Sequence, residues 1–137
     1  MTATVSGTAD ARAQRRCDAL QRVRRVCGVL PETSERPSHG APTFFIREKK
    51  AFAMFLDDHH GDGRLALWCA APEGMQRALV EGAPHHYFVP PYVGHRGWVG
   101  VRLDRDLDAD EIAGVLEDAW LTVAPKRLIE ATGLGAA

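Results

Sequence analysis

Apolar residues recur every three or four positions in the first part of the chain. From about Ala11 the repeat runs through Leu20 and Cys27, a spacing that places these side chains on one face of a helix. Gly28 and Pro31 are helix-ending residues. The pattern therefore predicts one long helix over about residues 11–28.

Two later segments carry helix start and stop signals. Pro72 and Gly82 bracket a predicted helix from Glu73 to about Glu81. Asp108 is a suitable N-cap for a third helix, and Glu111 stands at the capping-box position. The apolar stripe of this third helix comprises Ile112, Val115, Leu116, Ala119, Trp120 and Val123.

Alternating or continuous apolar runs, separated by turn residues, predict five strands. The strands cover residues 43–47, 51–56, 64–69, 85–89 and 98–103. The preceding segment, residues 32–42, is predicted to be a polar loop with room for a short strand. Because the links between neighbouring strands are short, we expect antiparallel pairing.

The order of these elements determines the predicted fold class. Strands that are segregated from terminal helices favour an α+β fold, with an antiparallel β-sheet backed by N- and C-terminal helices. At 137 residues the chain is long enough for one domain with its own core. We expect this domain to span residues 11–134 and residues 1–10, which are small and polar, to form a disordered lead-in.

Charge and composition exclude some classes of protein. The formal net charge is -1, so contact with nucleic acid would depend on a local basic patch. No apolar run approaches the roughly 20 residues of a membrane helix, and no signal peptide is visible. The three cysteines have no scaffold spacing. These features favour a cytoplasmic, reduced protein with no membrane contact. The sequence does not determine the oligomeric state, for which a monomer is the default expectation.

The most distinctive segment is a turn rich in proline, glycine, aromatic and cationic residues between residues 90 and 98. His95 and Arg96 are candidates to contact a phosphate or another anion, and Tyr92 and Trp98 are candidates to stack on a base or an aromatic ligand. The alternative is structural: Trp98 fills the core beneath the turn, and the glycines serve the turn geometry.

A basic hairpin tip is the second candidate site. Arg47, Lys49 and Lys50 lie between the first two predicted strands, where they suit contact with a nucleic-acid backbone. The alternative is a charged turn that keeps the sheet soluble.

The polar face of the first helix is a secondary candidate. It carries five arginines, which either contact phosphates or lie over the apolar stripe in solvent. They are Arg12, Arg15, Arg16, Arg22 and Arg25.

Metal-binding and catalytic motifs are missing from the sequence. The pairs His59-His60 and His85-His86 lack ligand spacing, so we expect no metal and no cofactor. A nucleophile formed by Cys69 and a histidine is the one catalytic arrangement that the sequence leaves open. We expect a protein that is not an enzyme.

Several short segments, in the same order, resemble the MmcQ/YjbR family. The resemblance covers the chain from the first helix to about residue 130 and implies a CyaY-like (frataxin-like) fold. It also implies a bacterial protein of a group described as double-wing DNA-binding proteins. The segments are Leu30-Pro31-Glu32, Gly40-Ala41-Pro42-Thr43-Phe44, Lys50-Ala51-Phe52-Ala53, Pro91-Tyr92-Val93-Gly94 with Gly97-Trp98-Val99, and Asp118-Ala119-Trp120 with Val123-Ala124-Pro125-Lys126.

Two functions are consistent with these observations. The first is a non-enzymatic DNA-binding module that holds phosphates with its β-hairpins and basic first helix. The second is a small-molecule (natural-product) binding or self-resistance protein, with a pocket between sheet and helices. That pocket would be rimmed by His39, Tyr92, His95, Arg96 and Trp98.

Overall fold

The computed structural model describes residues 3–134, with side chains from Asp10 onward. Within this range the sequence forms four α-helices and six strands. The helices are α1 (Ala3–Gly28), α2 (Met75–Gly82), α3 (Ala109–Val123) and α4 (Lys126–Thr132). The strands are β1 (Thr33–Ser38), β2 (Ala41–Ile46), β3 (Lys50–Asp57), β4 (Leu65–Cys69), β5 (Tyr87–Phe88) and β6 (Val99–Arg102).

The strands form one antiparallel sheet in the order β1-β2-β3-β4-β6-β5. The predicted α+β class is therefore confirmed. No helix within residues 3–134 is both long and apolar enough to cross a membrane.

The edge strand β1 lies in the segment that the sequence predicted to be mainly loop. It pairs with β2 along its whole length, through a tight turn at His39 and Gly40, which have φ values of 51° and 78°. Left-handed conformations at both positions are typical of a hairpin turn. Because the strand is at the edge and none of its residues is buried, it has no apolar alternation to reveal it.

Helix α1 begins earlier than predicted. The predicted disordered lead-in covered residues 1–10, of which residues 1 and 2 lie outside the described residues, whereas Ala3–Asp10 is helical. The segment contains no proline, and each residue added to an existing helix gains a hydrogen bond. The sequence pattern did not reveal this extension because the segment lacks an apolar stripe.

Helices α1 and α3 cover one face of the sheet. The register places Phe55, Leu67, Val101 and Tyr87 in a row on this face, and each is at most 2% exposed. Side chains that oppose each other across antiparallel strands share a face, so this row forms the sheet side of the core.

Polar contacts define the start of α3 and attach this helix to the rest of the core. The Asp108 side chain accepts a hydrogen bond from the Asp110 backbone N–H, so the predicted N-cap is confirmed. Glu111 does not complete the predicted capping box, because its carboxylate accepts a hydrogen bond from the Tyr87 hydroxyl instead. The Trp120 indole N–H donates to the Pro31 carbonyl at 3.0 Å.

The opposite face of the sheet, here called the open face, has its own cross-strand row. It runs through Thr43, Met54, Trp68 and Gly100, one residue from each of four adjacent strands. The Phe88 ring lies against Gly100 at the end of this row. The open face positions the candidate site.

Candidate functional site

A groove of about 1230 Å³ lies over the open face. Open-face residues such as Thr43, Met54 and Trp68 form its floor. One side is the turn between β2 and β3, and the other is the loop after β5. Two further lining residues, Thr122 and Val123, mark where the groove reaches the C-terminal end of α3.

The groove is lined by basic side chains and by no carboxylate. Its cations are Lys49, Lys50 and Arg96, all of them exposed. None of the three forms an ion pair with any residue in the described range. Because charges of one sign lining a cleft raise the local concentration of the opposite ion, this groove favours an anionic ligand.

Aromatic side chains line the same groove. Trp68 and Trp98 are 3% and 5% exposed, whereas Tyr92 is 70% exposed. The Tyr92 backbone has φ 67°, a left-handed conformation that is unfavourable for a tyrosine. Strained residues of this kind cluster at ligand-binding sites, and here the strained residue presents an aromatic ring to solvent.

The loop that carries Tyr92 and Arg96 is fastened to α2. It contains a single 3₁₀ turn, Gly94–Arg96, which ends at Gly97 with φ 84°. The Gln76 side-chain amide donates to the backbone carbonyls of Gly94 and Trp98. The Arg96 guanidinium lies 5.3 Å from the centre of the Trp98 ring, over its face, a cation–π contact that orients the cation toward the groove.

Two adjacent histidines extend the groove lining beside Trp68. The His59 ring centre lies 4.7 Å from that of Trp68 and 6.0 Å from that of Tyr92, and His60 lies 6.4 Å from Tyr92. Burial lowers the pKa of His59, and the neighbouring His60 lowers it further. At pH 7 we therefore treat His59 as a neutral imidazole.

Five of the residues predicted from the sequence come together in this groove. They are Lys49, Lys50, Tyr92, Arg96 and Trp98. The sequence placed them in two separate candidate sites, and the sheet brings those two sites to opposite sides of one groove. Trp98 also fits the alternative in which it fills the core beneath the turn, because its side chain is almost fully buried.

The two other predicted contacts do not line the groove. Arg47 donates to the Glu32 carboxylate at 2.9 Å, which compensates its charge. His95 is exposed on the loop and is not among the residues that line the groove. Sequence spacing cannot distinguish them from their neighbours, because the orientation of each residue depends on the turn geometry.

The basic face of α1 is separate from the groove. Arg12 and Arg16 lie 3.8 and 3.3 Å from Asp57, and Arg16 also lies over Phe55, on the helix-covered face. A second, smaller cavity of about 650 Å³ beside α1 is lined by arginines together with five aspartates. The arginines of the first helix and the groove cations do not form one continuous surface.

The structure corrects the location of the predicted small-molecule pocket. The large groove lies on the open face and not between the sheet and the helices α1 and α3. His39 lines it as predicted. His59 and His60 also line it, whereas their sequence pattern made them candidates only as metal ligands. The alternation of Met54 and Leu56 in β3, continued by Trp68 in β4, was the signal for a second apolar surface.

The arrangement of the described residues supports neither metal binding nor nucleophilic catalysis. Within the described residues, no group of three or more His, Cys, Asp or Glu side chains is placed to hold a metal ion. Cys69 is fully buried, and burial raises the pKa of its thiol well above the usual range. A protonated, inaccessible thiol is not a nucleophile, so the Cys69–histidine pair is excluded.

Comparison with known proteins identifies relatives of this chain. A family model described as YjbR matches residues 29–122, which confirms the resemblance to the MmcQ/YjbR family. The crystal structure of the Deinococcus radiodurans protein DR2400, with a domain labelled DUF419, superposes with a TM-score of 0.67. The two chains are 20% identical over 84% of this chain and 88% of that one, so the similarity concerns the fold. No curated protein matches the sequence.

Proposed function

This chain belongs to the YjbR family, and we propose that it is a small DNA-binding module whose groove holds backbone phosphates. Lys49 and Lys50 contact the phosphates from one side of the groove and Arg96 from the other. A strand that follows the groove then lies over the open face of the sheet.

Charge segregation is the observation that carries this proposal. The chain has 18 acidic and 17 basic residues other than histidine, yet none of the 18 acidic residues lines the groove. The lining of the second cavity, beside α1, is closer to neutral because five aspartates offset most of the charge of its six arginines. Although the net charge of the chain is -1, the groove is thus locally positive, which is what phosphate binding requires.

The exposed ring of Tyr92 favours a nucleic-acid strand as the ligand, because bases can stack on it. Aromatic side chains in a positively charged groove bind nucleic acid by stacking, with little dependence on sequence. Tyr92 lies on the same loop as Arg96, so one loop supplies both a stacking surface and a phosphate contact. We expect binding that depends on salt and little on base identity.

Fluorescence anisotropy with labelled single- and double-stranded DNA, repeated across a salt series, tests the proposal. We expect saturable binding whose affinity falls log-linearly with salt concentration. The variant K49Q/K50Q/R96Q should bind at least about tenfold more weakly, with a salt slope smaller by roughly 2–3.

The α1 variant R15Q/R22Q/R25Q is the matched control. It removes the same number of positive charges, from arginines that make no ion pair within the described residues. It should bind DNA like the unmodified protein. Equal losses in both variants would show that charge alone matters, and the absence of binding at low salt would exclude the DNA-binding proposal.

A small anionic aromatic molecule is the second candidate ligand. The groove volume of about 1230 Å³ slightly exceeds the roughly 300–1,000 Å³ of typical ligand pockets, and its lining combines aromatic rings with cations. A planar, anionic natural product fits this chemistry. In a thermal-shift screen such a compound would raise Tm, and Arg96→Gln would remove the increase.

A further inference from the structure

We infer that the groove floor contains a subsite, formed by Trp68 and His59, for the edge of a single unpaired base. This inference rests on the DNA-binding function proposed above. It adds that the groove is built for a single strand and that its floor contacts a base as well as the backbone.

Among the residues that the structure describes, two buried polar atoms of the groove lining have no hydrogen-bond partner. They are the indole nitrogen Nε1 of Trp68 and the imidazole nitrogen Nε2 of His59, and both residues line the groove. A buried donor or acceptor without a partner is unfavourable, because it has lost its hydrogen bonds to water and gained none in return. Two such atoms on neighbouring rings, whose centres are 4.7 Å apart, constitute an unfilled hydrogen-bonding position.

Trp120 shows how the same chain treats an indole that has only a structural role. Trp120 is fully buried, and its N–H donates to the Pro31 carbonyl at 3.0 Å. Trp68 is almost as buried, with only 3% of its surface exposed, but its N–H has no acceptor in the described residues. The difference indicates that the acceptor for Trp68 comes from a ligand.

The hydrogen-bonding capacity of the two atoms determines which ligand group can bind to them. The indole N–H of Trp68 only donates, whereas Nε2 of a neutral imidazole donates or accepts according to its tautomer. A donor beside a group that serves in either role matches the edge of a nucleobase, where acceptors and donors alternate. A phosphate carries only acceptors and is better matched by Lys49, Lys50 and Arg96.

The aromatic side chains around the subsite favour a planar ring as its ligand. Tyr92 lies 6.0 Å from His59 and 6.4 Å from His60 between ring centres, so a planar group at the floor has aromatic faces on more than one side. In a duplex the Watson–Crick edges of the bases are paired and the faces are stacked. Only an unpaired base presents both to a protein, and the subsite therefore selects single-stranded DNA.

The test compares a labelled deoxythymidine oligonucleotide with an abasic oligonucleotide of equal length and equal charge. On the unmodified protein we expect the abasic strand to bind about tenfold more weakly, with the same salt slope. Trp68→Phe keeps an aromatic ring but removes the N–H donor. It should reduce the difference between the two strands while leaving affinity for the abasic strand unchanged.

His59→Gln is the second variant, because it keeps a polar side chain at a partly exposed position if Trp68→Phe fails to fold. It should also reduce the preference for the base-bearing strand. Equal binding of both strands by the unmodified protein would overturn the subsite and leave phosphate binding intact. A full preference retained in both folded variants would also overturn it, and no binding of either strand would overturn both proposals.

Discussion

The side-chain amide of Gln76 donates a hydrogen bond to the backbone carbonyl of Gly94 at 2.8 Å. The same nitrogen donates to the carbonyl of Trp98, at the other end of the loop. One residue of α2 thus fixes both ends of the segment that carries Arg96. Gly94 lies so close to Val89 that an added Cβ would come within 2.6 Å of its Cγ1 atom, which also limits movement of the loop.

Replacing Gln76 with alanine should loosen the loop and destabilise the protein. The substitution removes both hydrogen bonds and leaves two partly buried carbonyls without this partner, so we expect the free energy of unfolding to fall by about 1–3 kcal/mol. Urea denaturation followed by circular dichroism measures this change.

Arg77→Ala is the matched control for Gln76→Ala. Arg77 is the next residue of α2, and its side chain, 82% exposed, forms an ion pair with Glu81. Loss of such a surface pair should cost less than about 0.5 kcal/mol. If the two variants were equally stable, the Gln76 contacts would contribute nothing beyond helix propensity.

Gly100 should not tolerate a methyl group. The Phe88 ring packs directly against Gly100, where an added Cβ would overlap the ring, and the Arg64 guanidinium lies 4.0 Å from the ring centre. Gly100→Ala must therefore displace Phe88, at a cost of about 1–3 kcal/mol in unfolding free energy.

Gly114→Ala provides the contrasting control for Gly100→Ala. Gly114 lies in α3, and an added Cβ would meet nothing within 4 Å. Alanine in a helix interior is favoured over glycine by about 0.5–1 kcal/mol, so this variant should be more stable than the unmodified protein. Thermal unfolding of both variants measures the two opposite shifts, and a shift of the same sign in both would contradict the packing argument.

The predictability of the fold differed between the covered and exposed parts of the sheet. The central strands β3 and β4 and the helix α3 could be predicted because each buries an apolar face, which leaves a periodic signal. The edge strand β1 buries little and left none. Its existence depends on pairing with β2, a long-range contact that local composition does not report.

The candidate site was predictable in its residues but not in its assembly. Lys49, Lys50 and Arg96 were identified as candidate phosphate contacts, yet their meeting across one groove depends on how the sheet brings two distant turns together. The partnerless N–H of Trp68 could not be predicted at all, since it depends on which atoms fail to reach it.

The pH dependence of stability should include a contribution from His59. Burial lowers its native pKa, and His60 lowers it further, relative to the ordinary value of about 6.5 in an unfolded chain. Between those two pKa values the unfolded chain binds more protons at this site, so stability rises with pH. Acidification from above 6.5 through the native pKa should therefore destabilise the protein.

His59→Gln isolates this contribution, because glutamine does not titrate. The difference in unfolding free energy between the two proteins should change with pH in that window and be constant above it. Denaturant titrations at several pH values measure the difference. A difference that is independent of pH, or one that favours the unmodified protein more at acidic pH, would show that the native pKa of His59 is not lowered.

Tyr92→Gly should separate ligand binding from stability. Glycine adopts the φ of 67° at this position without the strain that tyrosine bears, but it also increases the entropy of the unfolded chain. These effects oppose each other and, because the ring is 70% exposed, we expect unfolding free energy to change by less than about 1 kcal/mol.

Loss of the stacking surface should weaken binding of single-stranded DNA about tenfold. Anisotropy and denaturation on the same preparation measure both quantities. A large loss of stability with unchanged affinity would show that the exposed tyrosine serves the fold, whereas the expected pair of results assigns its strained conformation to the groove.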